Sequence, residues 1–457
     1  MLLIRGGRVV DPASGFDGLA DVYIEKGCIK KIIPYGEETE DAAGNVETAA
    51  NAGDVKRDAA EKEWAIIDAG GLVVVPGLVD THVHFRDPGF TYKEDILSGA
   101  KAAAAGGYTT VVCMANTKPV ADNVQTISYI VEKAKKAPVH VLTAAAVTKG
   151  LKGKELTDFQ ALLKAGAVGF TDDGIPLRDS AVLEEAMMQA AVLNVPVSLH
   201  EEDPEMIERP GVNKGRISEM LSYGGAPSAS EYTMVERDCA LALKTRAKVV
   251  IQHISARESV EAVRAYWHRG ARIYGEVTPQ HFSLTEEIVL SKGSLARVNP
   301  PIRTEADRQA LIEGLKDGTL DIIATDHAPH SREEKARGIK EAPSGMIGLE
   351  TALALGITNL VRPGHLSLSE LLEKMTVNPA RLYGLKAGTL QEGDAADLVI
   401  FDENEQWTVG DTFYSKSSNS PFIGETLYGK IKYTICGGAI VYEAQAKDEV
   451  QAKCEAF

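Results

Sequence analysis

The 457-residue sequence predicts a (β/α)8 TIM barrel with a smaller β-rich domain built from both chain ends. Two observations carry this. From residue 72 onward, apolar runs of strand length alternate eight times with Ala-, Leu-, Glu- and Lys-rich stretches of helical periodicity. Short β-rich runs broken by Gly, Pro and Asp stand before and after that alternation. The length agrees, because a barrel of about 250–300 residues plus a small sheet accounts for the chain. On this reading residues 1–71 are the N-terminal part of the small domain, 72–383 the catalytic barrel, and 384–457 the C-terminal part of the small domain plus a tail.

The head contributes runs at 2–10, 21–24 and 28–33. Residues 37–63 are polar, Ala-rich and acidic, a solvated insertion or hairpin tip with no chemistry in it. Barrel strands are expected at 72–84, 109–116, 139–147, 167–173, 195–200, 248–253, 272–277 and 321–326. Helices are expected at 94–105, 126–137, 180–193, 231–245, 257–269 and 305–317, the first stopped by Gly106-Gly107. After a last barrel helix around 371–383 come short strands at 397–401, 430–436 and 439–443, then a polar, loose tail.

Composition removes several function classes. A formal charge of -16, from 65 acidic against 49 basic residues, lacks the basic footprint a nucleic-acid partner needs. No apolar stretch approaches ~20 residues, so no membrane span is expected. The five cysteines are scattered without a Cys-x-x-Cys pair, which speaks against a disulfide framework and for a reducing cytoplasm. The N-terminus runs into strand-like sequence with no signal-peptide pattern.

Barrel catalysis sits at the C-terminal ends of the strands. Those ends carry His82 and His84, Asn116, Asp172-Asp173, His200, His253, and Asp326 with His327. Singly, each has an ordinary reading: His-x-His as a solvated strand end, Asp173 as a turn cap before Gly174, His200 or His253 as a satisfied core histidine. Jointly, four histidines and two carboxylates on one rim point to a metal centre. With no cysteine in the set, the donors suit Zn2+, ahead of Mn2+, Co2+ or Fe2+. Four histidines are many for one catalytic zinc, so a bridging carboxylate with two ions is the economical reading, and one ion remains compatible.

These strand-end residues resemble the amidohydrolase superfamily. More narrowly, Asp-Thr-His-Val-His-Phe-Arg-Asp-Pro-Gly (80–89), Met-Ala-Asn-Thr-Lys-Pro (114–119), Phe-Thr-Asp-Asp-Gly (170–174), Val-Asn-Pro-Pro-Ile-Arg (298–303) and Ala-Thr-Asp-His-Ala-Pro-His (324–330) resemble the class I dihydroorotases, over nearly the whole chain outside the acidic insertion. The resemblance implies that His82, His84, Asp173, His200, His253 and Asp326 ligate metal, with Asp173 rather than Asp172 bridging. It gives Arg86, Asn116 and His330 to a substrate carboxylate and Asn299 to the ring amide, and it leaves His327 either structural or supporting the residues that touch metal and substrate. Related hydantoinases and allantoinases bridge their metals with a carboxylated lysine, and no lysine stands in 168–174.

Two segments depart from the family pattern. Thr278-Pro-Gln-His281 stands where the family more often reads Thr-Pro-His-His, and Ser344 where it often has Phe. The charged segment 331–345 is either an active-site lid, bringing the backbone at Ser344 and Gly345 onto the substrate, or solvated surface. The implied reaction is reversible hydrolysis of the cyclic amide of L-dihydroorotate to N-carbamoyl-L-aspartate in pyrimidine biosynthesis, with Asp326 as the catalytic proton carrier. The rivals are another cyclic amidohydrolase and a catalytically silent scaffold for aspartate carbamoyltransferase. Retention of all six ligand positions speaks against silence but not against docking to that enzyme, and the family adds a homodimer.

Overall fold

The computed structural model describes residues 1–35, 38–40, 46–48 and 64–444. Within the expected acidic insertion, Glu38–Glu40 and Val46–Thr48 pair as a short antiparallel ribbon. The remainder of that insertion, and the tail from 445, lie outside the described residues.

Eight parallel strands form the barrel in chain order: Leu78–Val83, Tyr108–Cys113, His140–Ala145, Ala167–Thr171, Pro196–Leu199, Lys248–Ile251, Ile273–Val277 and Leu320–Ile323. They are called the first to eighth barrel strands below. The eighth returns to the first through a Val83–His327 bridge and the His84 N–H bonded to the His327 carbonyl at 2.9 Å. Beneath that bridge, the Thr325 hydroxyl donates to Asp80 Oδ2 at 2.6 Å. Burial pushes the Asp80 carboxyl up to about 7.

The single strand expected over 72–84 is two. Val73–Pro76 lies in the small sheet, antiparallel to Leu398–Thr408 and parallel to Leu2–Asp11, and the barrel begins only at Leu78. Gly77 makes the junction, since a Cβ there would sit 2.0 Å from Thr109 Oγ1. The sequence hides the break because both pieces are buried on all sides and so equally apolar. The small sheet runs in the order Ala439–Glu443, Thr426–Cys436, Leu398–Thr408, Val73–Pro76, Leu2–Asp11, Phe16–Glu25, Cys28–Pro34, with Ala65–Asp68 also paired to Leu2–Asp11.

The expected helices are present with ends within three residues of those expected, as Ile96–Ala105, Val124–Ala134, Ser180–Leu193, Ala229–Thr245, Arg257–His268 and Glu305–Lys316. The last expected helix is two, Leu368–Met375 and Val377–Tyr383. Leu382 and Tyr383 fill the barrel interior with Val112, Ala144, Val250 and Ile322, and the Tyr383 hydroxyl meets Ser198 Oγ at 2.7 Å. Asn378 bonds the Asp321 carbonyl at the start of the eighth strand, which puts this plug at the N-terminal mouth. With that mouth closed, the barrel interior opens at the opposite rim. Among the described residues no helix is long and apolar enough to cross a membrane.

Candidate active site

The C-terminal rim gathers His82, His84, Asp173, His200, His253 and Asp326, all buried. Asp173 lies at its centre. Its Oδ1 is 3.4 Å from His82 Nε2 and 3.8 Å from both His200 Nδ1 and His253 Nε2, and its Oδ2 is 3.4 Å from His84 Nε2. Asp326 Oδ1 lies 3.0 Å from His84 Nε2 and 3.5 Å from His82 Nε2. Asp172 faces away and accepts from the Thr148 N–H at 3.0 Å and from the Thr148 hydroxyl.

The outer nitrogens of His82 and His84 are engaged by acceptors, which turns their inner nitrogens toward Asp173 and Asp326. His82 Nδ1 donates to Glu276 Oε1 at 2.8 Å and His84 Nδ1 to Asn116 Oδ1 at 3.0 Å, while His200 Nε2 faces Glu202 Oε2 at 3.2 Å. The inner His82 Nε2 is buried without a hydrogen-bond partner. This is how proteins prepare histidines for a metal, with the tautomer fixed from outside. The charge balance agrees. Burial alone would raise the Asp173 carboxyl, but His82, His253 and His84 hold it well below its usual range. Asp326 is likewise held down against burial by His82 and His84. Burial opposes protonation of His82, yet Glu276, Asp173 and Asp326 push it well up. A pocket that stabilises positive charge, with an orphaned buried imidazole nitrogen and only N and O donors, fits a divalent cation.

Glu276 and Glu202 were not anticipated from the sequence. Glu276 is a buried acid in the seventh barrel strand, and its Oε1 also accepts the His253 N–H at 3.1 Å. A charge inside an otherwise strand-like run was the available signal. We expect Glu276→Gln to weaken metal binding roughly tenfold, measured by competition with a chelator, because a neutral acceptor supports the His82 tautomer less well.

Arg86, His330, Ser344 and Gly345 meet beside this cluster. The Arg86 Nε donates to the Pro329 carbonyl at 3.3 Å, and the guanidinium enters no ion pair among the described residues. Burial lowers its pKa. His330 Nε2 donates to the Ser344 carbonyl at 2.8 Å while Nδ1 accepts from Lys93 at 3.2 Å. Burial, followed by the charges of Arg86, Lys93 and Lys335, drives the His330 pKa down to about 2, so the ring is neutral. At Gly345, with φ of 129°, a Cβ would lie 2.8 Å from the Ala328 Cβ and 3.1 Å from His330 Nε2. Its own N–H and carbonyl are held by Arg297 and by Lys335 and Asn419, so it shapes the wall. Arg86, His253 and Asp326 all hold left-handed backbone, with φ of 57°, 36° and 48°.

Asn116 turns toward the cluster. Its Oδ1 accepts from His84, and its Nδ2 bonds the Asp173 carbonyl at 3.3 Å and Oδ2 at 3.1 Å, so in this conformation it orients two cluster residues. Asn299 Oδ1 is buried without a partner. His327 accepts the Gly348 N–H at 3.2 Å and packs edge-on against Phe85. Gln280, at the departure from the family pattern, donates to the Thr325 carbonyl at 3.3 Å.

The charged segment 331–345 is tied down in this conformation. Ser331 and Glu334 form a capping box on Arg332–Lys335. Lys335 is buried, donates to the carbonyls of Pro343 at 3.0 Å and Gly345 at 2.8 Å, and is lowered to about 7 by burial and Arg297. We expect Lys335→Met to cost about 1–2 kcal/mol of local stability, read as roughly tenfold faster amide hydrogen exchange across 332–345.

Residues 73–441 match the Amidohydrolase family. A dihydroorotase from Clostridioides difficile (strain 630) is 56% identical over 444 residues, covering 97% of this chain and 100% of that one. One from Lactococcus lactis subsp. lactis (strain IL1403) is 51% identical over the same length and coverage. Among solved structures, an L-hydantoinase (dihydropyrimidinase) from Arthrobacter aurescens superposes with a TM-score of 0.81 at 26% identity, covering 97% of this chain and 96% of that one. A D-hydantoinase, at 22% identity and a TM-score of 0.80 over 97% and 95% of the two chains, shares the fold. Fold and site together are those of a metal-dependent cyclic amidohydrolase. The chain belongs to the amidohydrolase family, in its dihydroorotase branch.

Proposed function

We propose that the protein catalyses the reversible hydrolysis of the cyclic amide of L-dihydroorotate to N-carbamoyl-L-aspartate, the ring-closing direction serving de novo pyrimidine biosynthesis. The observation that carries the choice of substrate is Arg86, a guanidinium beside the His/Asp cluster with no carboxylate partner of its own. A carboxylate-bearing ring supplies that partner, whereas hydantoin and allantoin do not. The absence of a lysine in 168–174, where Asp173 occupies the centre of the cluster, further separates this site from the hydantoinase pattern.

We assign His82, His84, Asp173, His200, His253 and Asp326 to one or two Zn2+ ions. Bound there, the divalent metal would polarise the ring carbonyl and acidify water. The chain's own residues do the rest. Asp326, ionised at neutral pH, takes a proton from the attacking water and passes it to the departing ring nitrogen. Arg86 and His330 hold the substrate carboxylate, His330 by turning its Nε2–H from the Ser344 carbonyl. Asn299 Oδ1 accepts the ring N–H, and Asn116 keeps His84 and Asp173 in register.

The resemblance also carries a cytoplasmic setting, a homodimer and docking to aspartate carbamoyltransferase. Light scattering on the protein, alone and mixed with that enzyme, tests the last two. For the reaction, ring opening of L-dihydroorotate is assayed beside hydantoin and allantoin, with metal content measured on the same sample. Turnover of dihydroorotate above the other two is expected. A metal-loaded protein inactive on dihydroorotate overturns the reading.

A further inference from the structure

A second cluster of donors lies at the other end of the barrel, where none of the groups above reach. His140 opens the third barrel strand, Asp397 immediately precedes Leu398–Thr408 of the small sheet, and Cys436 ends Thr426–Cys436. His140 Nε2 is 3.0 Å from Asp397 Oδ2, and the Cys436 Sγ lies with them, all three donor atoms being within 4.8 Å of one another. Asp397 and Cys436 are buried, while the His140 side chain is 50% exposed.

We propose that His140, Asp397 and Cys436 form a structural divalent-metal site, taking Zn2+ between the floor of the barrel and the small sheet, with water from the exposed side as fourth ligand. Thiolate, imidazole and carboxylate together make a borderline-soft set that favours Zn2+ over Mg2+ or Ca2+. Tetrahedral Zn–N and Zn–O bonds of about 2.0 Å would set those two atoms ~3.3 Å apart, close to the separation present. The carboxylate is already aimed, because Oδ1 accepts the Gly437 N–H at 2.7 Å and leaves Oδ2 toward His140. Outside the cluster the thiol makes a 3.9 Å contact to the Thr109 carbonyl.

The surroundings favour a cation. Asp397, then Cys436, push the His140 imidazole up to about 10 against burial. The mechanical consequence follows from chain distance. The three ligands come from segments far apart in sequence, so one ion would link the barrel floor to two neighbouring strands of the small sheet.

Cobalt substitution tests this apart from the active site, whose donor set contains no cysteine. The metal-free full-length protein is loaded with Co2+ and examined for near-ultraviolet thiolate-to-cobalt charge-transfer absorption. The expected result is a band of about one equivalent per chain that disappears in Cys436→Ser and His140→Ala and persists in Cys28→Ser, which alters an exposed cysteine. Bound zinc should fall by about one ion per chain in Cys436→Ser, with ring opening of dihydroorotate within about twofold of wild type. His140→Ala, a change at a half-exposed side chain, keeps the comparison available if Cys436→Ser does not fold. A wild-type protein saturated with Co2+ and lacking the band, or a band that survives both Cys436→Ser and His140→Ala, overturns the proposal and leaves a His140–Asp397 ion pair beside a spectator thiol.

Discussion

Asp326→Asn is expected to abolish measurable ring opening while leaving the bound metal in place. The substitution is nearly isosteric and suits the backbone, since asparagine accepts the left-handed φ of 48° at least as readily as aspartate. Four histidines and Asp173 remain as donors, so metal content measured by mass spectrometry should be close to that of the wild type. In the proposed mechanism, what is lost is the base. His82 and His84 keep the Asp326 carboxyl below its usual range, so it is ionised throughout the neutral region and free to take a proton. An amide cannot. Proton transfer by a positioned side chain contributes typically 10²–10⁴-fold, and here one group serves both halves of the transfer, so a fall in kcat of at least about 10³-fold with little change in KM is expected. A variant that keeps both its metal and a near wild-type rate would remove Asp326 from the proton path.

The fold was legible because the physics of the barrel is repetitive. Each strand is buried on both faces and so reads as an apolar run, and the residue that ends the run faces the rim. That same logic picked out His82, His84, His200, His253 and Asp326 as neighbours in space though they span much of the chain. It failed wherever burial erased contrast. The junction at Gly77 is invisible because Val73–Pro76 and Leu78–Val83 are equally buried, and only the 2.0 Å approach to Thr109 explains the glycine. The helix Phe159–Ala165 was missed because seven residues are too few for a periodicity to establish itself; its anchor is tertiary, the stack of Phe159 on Phe170. Glu276 and Glu202 belong to a third kind of silence. Each faces the outer nitrogen of a cluster imidazole, a relation between side chains that no spacing along the chain encodes. Lys335 stands in a charged segment that reads equally as lid or as solvated surface, and nothing in that pattern encodes an ammonium turned inward onto two carbonyls.

Arg86→Met should produce opposite changes in affinity and stability. In the free protein the guanidinium is partly buried, its pKa is lowered by burial, and its polar contacts are the Pro329 carbonyl at 3.3 Å and the His330 ring at 3.4 Å, with no carboxylate among them. An unmatched charge of that kind costs stability until substrate arrives. Methionine keeps much of the volume and removes the charge, so the metal-loaded variant should melt slightly above the wild type, by about 1 kcal/mol or a few degrees. For dihydroorotate, losing a charge-assisted bidentate contact worth roughly 2–5 kcal/mol should lower kcat/KM by about 10²–10³-fold or more, chiefly through KM. Arg86→Lys should recover only part of this, because an ammonium offers a point charge where a planar fork is needed. Hydantoin, which has no carboxylate, is the internal control: any residual rate on it should be insensitive to both substitutions. Thermal melts and steady-state kinetics on the two substrates read out all of this. If Arg86→Met loses stability along with activity, or slows both substrates alike, Arg86 is holding the rim together and does not select the substrate.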